Sequence, residues 1–514
     1  MQILHNSNFI TLSIVLIITL IFLVSMHRLP KAHAPTRPLN LFPPLGRPLK
    51  AYILSAYFYP HSKSLGNNSL ALVMSMNLGR SKKNFIDLQW GQSPDTTGIV
   101  VMARNRTSGV LVTTNYERIT PHDNCQMVAI FATVQLLENP TVISLVSTES
   151  LTHIRYKTPP TTRREVVMCI SPLYVSEQWQ NFLLAAHIYK QFGAHMHVYL
   201  ISAVTSFFEL MQEYERSEFL TIQPWDRMIF PFVPGYIVDA YSQVEFQNLA
   251  AAQTDCLLQY KESAEFIALL ELNDILIPKI APTYIEEFQK IIENYNGSAK
   301  IAYIDYDRQH FEATIYNHSD FSIKDMMNSF VDLKKRSLGK VVLIPDRVNY
   351  TYIDRPTFLP QGYQSLRVED NTLTYLDNIV WTEDDPRDRG EFFENSNFSA
   401  IYKAAFTIIE SSLKEMFKVE KVIEINPELP NFYYFYDLVK NCFEERYYSI
   451  LRSRNHRKVD NICPGPQLCG FYQHPDVKCV HVNAGHVYMK ALYPITYYYS
   501  IDHYFSSDIG CYPH

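Results

Sequence analysis

From residue 164 onward, short apolar runs alternate with longer stretches whose apolar residues recur at helical spacing. Val166 to Ile170 is short enough for a buried strand. Glu177 to Phe192 follows, with Trp179, Phe182, Leu183, Ala186, Tyr189 and Phe192 on one face, and Gly193 ends it. His197 to Ile201 predicts a second strand, Ser206 to Tyr214 a second helix, Leu220 to Gln223 a third strand and Ser242 to Tyr260 a long helix. Phe266 to Leu272 is a further apolar strand. Thr283 and Glu286 form a capping box ahead of Ile285, Phe288, Ile292 and Tyr295. Strands and helices in alternation predict a mostly parallel sheet with flanking helices, an α/β class. Ligands of such sheets sit beyond the carboxyl ends of the strands.

The pattern before residue 158 is different. Gly98 to Ala103, Gly109 to Thr114, Gln126 to Leu137 and Thr141 to Ser147 are short runs rich in Val, Ile and Thr, with turn residues between them. They predict a small all-β domain over 51–157, a sandwich in form, with Thr158-Pro159-Pro160-Thr161 as linker. Residues 27–50 hold six prolines and read as an extended stem. Phe9 to Met26 is an uncharged run of 18 residues, which at 1.5 Å per residue can just cross a core of ~30 Å. It predicts a signal-anchor, with 1–8 as a cytosolic tail.

Composition sharpens this picture. The net charge is −6, which speaks against nucleic acid as a partner. Hydrophobic residues make up 47%, enough for a large core. There are eight cysteines and no C-x-x-C pair, so disulfides are the expectation rather than zinc. Cys463, Cys469, Cys479 and Cys511 crowd the end of the chain, which is expected to be stapled by disulfides, with 491–514 as its Cys-containing tail; Cys169 and Cys256 are a further candidate pair or else buried free thiols. Six Asn-x-Ser/Thr sequons stand at Asn67, Asn105, Asn296, Asn317, Asn349 and Asn397. Anchor, cysteines and sequons together predict a single-pass type II membrane protein with its main domain in the lumen of the secretory pathway.

G-x-S-x-G, H-E-x-x-H, Walker A and G-x-G-x-x-G are all missing. What remains is the strand Phe266 to Leu270, which runs straight into Glu271, Asn273 and Asp274. Oxygen groups at the carboxyl end of a buried strand suit an enzyme of sugar nucleotides, where they hold Mn²⁺ or Mg²⁺ against a departing diphosphate. Glu271 and Asn273 flank Leu272 and, in an extended strand, face the same side. Asp274, as a strand-end carboxylate, is expected to carry little packing energy.

At this point the chain resembles glycosyltransferase family 92. The resemblance rests on Val167-Met168-Cys169-Ile170-Ser171-Pro172-Leu173, the Trp179 to Gly193 helix with Ala194 and Tyr199, Gln253-x-Asp255-Cys256, the Glu271 to Pro278 strand end, and Gly339-Lys340-Val341-Val342-x-x-Pro345-x-Arg347-Val348. It implies a GT-A-type domain over 164–490 on a Golgi anchor. It also implies an inverting, metal-dependent transfer of galactose from its UDP donor to a glycan. On this reading Glu271, Asn273, Asp274 and His486 hold the metal, and Asp274 and Arg347 meet the nucleotide sugar. Departures are visible. Glu271-Leu272-Asn273-Asp274 stands for Asp-x-Asp-Asp, Asp354 replaces a histidine, and His486-Val487-Tyr488 stands for His-Tyr-Arg. They keep open an alternative, a catalytically silent lumenal protein of the same fold that binds glycans or acts as a chaperone.

Overall fold

The computed structural model describes residues 49–511 apart from 79–97, 115, 122–123, 148–149, 231–242, 296, 298–299, 317–319, 383–399, 444–462, 464, 466–473, 475, 490–494 and 509. The predicted anchor and almost all of the stem lie outside the described residues, as do Cys469 and the sequons at Asn296, Asn317 and Asn397. Among the described residues no helix is long and apolar enough to cross a membrane.

The amino-terminal part is all β: β1 (Leu49–Tyr59), β2 (Ser69–Met76), β3 (Ile99–Arg104), β4 (Gly109–Thr114), β5 (Tyr116–Arg118), β6 (Val128–Gln135), β7 (Val142–Ser147) and β8 (Ser150–His153). The α/β part supplies β9 (Arg164–Leu173), β10 (Ala194–Leu200), β11 (Ser202–Val204), β12 (Leu220–Pro224), β13 (Ala264–Leu270), β14 (Asp274–Ile275), β15 (Lys300–Ile315), β16 (Val331–Leu343) and β17 (Tyr363–Trp381). Its helices are α1 (Trp179–Gln191), α2 (Thr205–Arg216), α3 (Leu249–Tyr260), α4 (Tyr284–Glu293), α5 (Ile323–Asn328), α6 (Ala400–Met416), α7 (Glu420–Ile425) and α8 (Tyr436–Phe443). Two strands close the chain, β18 (Cys479–Tyr488) and β19 (Ile495–Ser506).

Three sheets result. A four-stranded sheet runs β4-β3-β7-β8, a seven-stranded one β11-β18-β19-β1-β2-β6-β5, and an eight-stranded one β12-β10-β9-β13-β16-β15-β17-β14. The first two pack face to face around Ile99, Val101, Leu70, Leu72, Ile130 and Leu145, which makes the expected sandwich. Its larger sheet is completed from the far end of the chain: β19 pairs parallel with β1, Leu49 opposite Ile495. Residues read from sequence as a tail are therefore a central strand, and β18, read as part of the α/β domain, belongs to the same sheet.

Helix α3 lies between the seven- and eight-stranded sheets. Tyr57, Val73 and Phe131 of one and Val167, Ile267 and Val341 of the other share a core with its Ala251, Ala252, Leu257 and Leu258. Small residues let both sheets approach. The helix is shorter than its periodicity predicts, because Phe246, Gln247 and Asn248 all adopt positive φ and break the turn before Leu249. On the other face of the large sheet, Val166, Met168 and Ile170 pack with α1, α2 and α6. Strand β9 is thus buried on both sides, which explains its unbroken apolar run.

Among the described residues three disulfides are seen with both partners. Cys169–Cys256 ties β9 to α3 as expected, and Cys479–Cys511 closes a loop of the carboxyl-terminal segment. Cys463 departs from the expected local staple and reaches back to Cys125 in the β region. Cys442 is disulfide-bonded as well.

Candidate functional site at the end of β13

In chain order the first four strands of the large sheet, β9, β10, β12 and β13, are mutually parallel, and in space they run β12-β10-β9-β13. The order reverses between β9 and β13, and open α/β sheets bind their ligands beyond the carboxyl ends of two such strands. Glu271 is the first residue after β13. The chain then turns, with the Asp274 amide donating to the Glu271 carbonyl at 3.0 Å, and β14 pairs antiparallel with β17.

Asp274 is wholly buried, and its charge is matched inside the fold. Arg308, from the middle of β15, donates Nε to Asp274 Oδ1 and Nη2 to Oδ2, both at 2.7 Å. The second oxygen also accepts the Glu271 amide at 3.0 Å. The same guanidinium reaches Glu271 Oε1 at 3.2 Å. Lys340 of β16, with no exposed side-chain surface, stands 2.6 Å from that oxygen and bonds Asp354 on its other side. Gly339 makes this placement possible, since a Cβ there would lie 2.0 Å from the Tyr306 carbonyl oxygen. Burial alone would raise the Glu271 carboxyl; Arg308 and then Lys340 outweigh it and hold it well below its ordinary value. Burial likewise works against the Arg308 charge, and Asp274 and Glu271 overcome it. Three carboxylates face two cations, leaving one negative charge.

Asn273 points elsewhere. Its Oδ1 accepts from Gln178 at 2.9 Å and Asn181 at 3.4 Å, and its Nδ2 donates to the Leu376 carbonyl and to the Tyr436 hydroxyl, at 3.1 and 2.6 Å. Tyr436 is held by a buried carboxylate. Glu177 accepts the backbone amides of Tyr434, Phe435 and Tyr436 at 2.9, 2.7 and 2.7 Å, which caps the start of α8.

The four residues expected to hold a metal do not converge. Residues 271–273 form a turn rather than extended strand, so Glu271 and Asn273 do not share a face. His486 lies on β18 in another sheet, where its Nδ1 is 3.0 Å from the Tyr52 hydroxyl. Both Asp274 oxygens, Asn273 Oδ1 and Glu271 Oε1 are already met by protein donors. Among the described residues no group of three or more His, Cys, Asp or Glu side chains could hold a metal ion. This donor set does not fit a divalent cation. The place between Glu271 and Asp354 holds the Lys340 ammonium instead.

Arg347 is also removed from Glu271. It follows β16, donates to the Ile301 carbonyl, and lines a cavity of about 320 Å³ with Lys261, Ala264 and Phe266, at the opposite end of β13. Of the described sequons, Asn67 is exposed, Asn105 donates its Nδ2 to the Glu138 carbonyl at 3.0 Å, and Asn349 is half-buried. Sequence reasoning missed Arg308, because a lone arginine within a strand pattern carries no local signal. Asp354 was visible as a substituted position, and the structure brings it to the same lysine as Glu271.

Comparison with known proteins adds three findings. A family model described as glycosyltransferase family 92 matches residues 164–417. The chain is similar to glycosyltransferase family 92 protein C33H5.2 of Caenorhabditis elegans, 46% identical over 475 residues and 91% of each chain. A second protein of that organism, ZK381.2 of the same family, is 31% identical over 90% of this chain and 89% of its own. Among solved structures, Staphylococcus aureus TarS 1-349 overlaps 50% of this chain and 75% of its own at 11% identity, with a TM-score of 0.23.

Proposed function

The chain belongs to glycosyltransferase family 92, and on that premise we propose that it moves a hexose from a nucleoside-diphosphate donor to a glycan acceptor, with inversion at the transferred carbon. It is a glycosyltransferase; donor, acceptor and stereochemistry are the proposal. The observation that carries it is the reversal of strand order between β9 and β13, with Glu271 and the Asn273–Tyr436 pair at its rim. A GT-A-type sheet binds its donor at this place. UDP-galactose is the donor we favour, from the resemblance of the strand-end motifs. Arg308 and Lys340 keep Glu271 ionised at the end of β13, and no step of the proposal passes through a metal.

We further propose a type II protein of the Golgi, anchored by 9–26. The disulfides favour an oxidising compartment. Endoglycosidase digestion of the expressed protein is expected to raise its gel mobility; a chain unaffected by the enzyme, with protease-sensitive residues 49–511 in sealed microsomes, contradicts the topology.

The test of activity is transfer itself. Full-length protein in detergent is incubated with labelled UDP-galactose and mixed N-glycans, and labelled glycan and UDP are measured. A folded protein that transfers from none of UDP-galactose, UDP-glucose and UDP-N-acetylglucosamine overturns the reading. One observation favours the silent glycan-binding alternative in that event, namely the complete internal pairing of Asp274 and Asn273.

A further inference from the structure

A second polar constellation lies one strand step from Arg308, assembled from three strands. His310 of β15 holds its Nδ1 2.6 Å from Asp377 Oδ2 of β17 and its Nε2 2.8 Å from Ser337 Oγ of β16. We propose that Ser337, His310 and Asp377 form a relay that removes the hydroxyl proton of the acceptor during glycosyl transfer. The proposal rests on the transferase reading above.

The pairing assigns the proton positions. An ionised carboxylate only accepts, so Asp377 fixes the ring proton on Nδ1 and leaves Nε2 as an acceptor for the Ser337 hydroxyl. Burial would raise the Asp377 carboxyl, but the bond from His310, with Lys335 and Lys440 nearby, holds it below its ordinary value. Burial also gives the array a direction. His310 and Asp377 are 3% and 7% exposed, Ser337 is half-buried, and Leu338 beside it is 64% exposed. The hydroxyl is the end that a solvent-borne acceptor can reach.

The backbone is irregular at this point on both sides. The β15–β16 ladder shifts register between Gln309 and Phe311, and the β15–β17 ladder shifts between Phe311 and Glu312, where Asp377 is the extra residue. Bulges re-aim side chains and are frequent beside active sites. The relay also adjoins the β13 site. Arg308 and His310 are two residues apart on one strand face, roughly 7 Å. The Tyr375 ring touches both, 4.4 Å from the guanidinium carbon and 5.0 Å from the imidazole centroid.

The step balances. The acceptor oxygen forms its bond to C1 of the donor sugar as the C1–O bond to the diphosphate breaks, and that electron pair leaves with the diphosphate. The acceptor proton passes to Ser337 Oγ while the serine's own proton passes to His310 Nε2. Asp377 stabilises the resulting imidazolium, which then releases its proton to solvent. The charged and titratable groups around the His310–Asp377 pair are Arg308 on the strand of His310 and Tyr375 from β17, and, acting on Asp377, Lys335 from β16 and Lys440 from α8, 3.7 Å from Asp377 Oδ1.

The test compares full-length wild type with His310→Gln, Ser337→Ala and Ser337→Thr. The readouts are UDP binding by calorimetry, turnover, and the pH dependence of turnover. General-base assistance contributes about 10²–10⁴-fold, so His310→Gln and Ser337→Ala are expected to lose turnover in that range with UDP affinity unchanged. Ser337→Thr, which keeps the hydroxyl, should recover most of it. The pH profile of turnover should differ between wild type and His310→Gln. If wild type transfers sugar and Ser337→Ala or a folded His310→Gln does so at the same rate with the same pH profile, the relay is wrong while the transferase reading stands. If His310→Gln fails to fold, Ser337→Ala and Ser337→Thr decide. If wild type transfers nothing, both readings fall.

Discussion

Arg308 and Asp274 meet through two parallel 2.7 Å hydrogen bonds, between a guanidinium from the middle of one strand and a fully buried carboxylate at the start of another. Asp274 is wholly buried and Arg308 is 6% exposed, and each is the other's main compensation. The pair pins β14 to β15 across the intervening β17 edge and holds the turn that presents Glu271.

Removing one partner strands a buried charge, which costs about 3–5 kcal/mol. Asp274→Ala and Arg308→Ala are each expected to destabilise the protein by that amount in denaturant titrations. The double variant should cost clearly less than the two together. This reverses the expectation that a strand-end carboxylate at 274 carries little packing energy. Additive costs would show that the pair is not coupled.

The occupied donor set predicts how metal behaves. Titrated against wild type, Mn²⁺ should keep its free-ion electron paramagnetic resonance signal, and Asn273→Asp should not change that, because residue 273 faces Gln178 and Tyr436 rather than Glu271. Lys340→Ala vacates the space between Glu271 and Asp354 and should reduce the free signal. Tight Mn²⁺ binding by wild type would show that Lys340 yields its place to the ion.

Stability should fall on mild acidification. Burial holds His187 down to about 3, with Lys190 adding to the effect, and holds His197 down to about 4, partly offset by Asp255. Both rings stay neutral in the fold but take a proton in the unfolded chain below their ordinary value of 6.5. Stability is therefore intact above that pH and declines below it, by roughly 1.4 kcal/mol per pH unit for each ring until the folded value is reached. Glu271, held low, adds a loss further into acid, below its ordinary value of 4.5. Urea midpoints between pH 7 and 4.5 measure the histidine part. Burial also holds His195 down to about 3, so His187→Gln should flatten the slope by about a third; an unchanged slope would rule His187 out.

The Cys125–Cys463 bridge spans 338 residues and joins the β region to the segment before β18. Its loss should lower stability by about 2–4 kcal/mol. Peptide mapping without reduction should recover the cross-linked pair. A Cys463 peptide joined only to a near neighbour would restore the local staple read from sequence.

Local chemistry was legible in the sequence. Strand β9, helix α1 and the Thr283 cap of α4 lie where the period of apolar residues and the capping box placed them, because those signals are carried within one element. The residues at the end of β13 were found for the same reason, as polar groups terminating an apolar run. Partnership was not legible. Arg308 reaches Asp274 from 34 residues away, and Ser337 and Asp377 reach His310 from 27 and 67. Strand register and two bulges set those meetings. The insertion of β19 beside β1 is of the same kind, since an apolar strand pattern states that a strand needs a neighbour and not which one. Hydrophobic periodicity thus determined the elements, while the long-range pairing of strands decided which charges share a buried space, and with it that a lysine rather than a metal ion lies between Glu271 and Asp354.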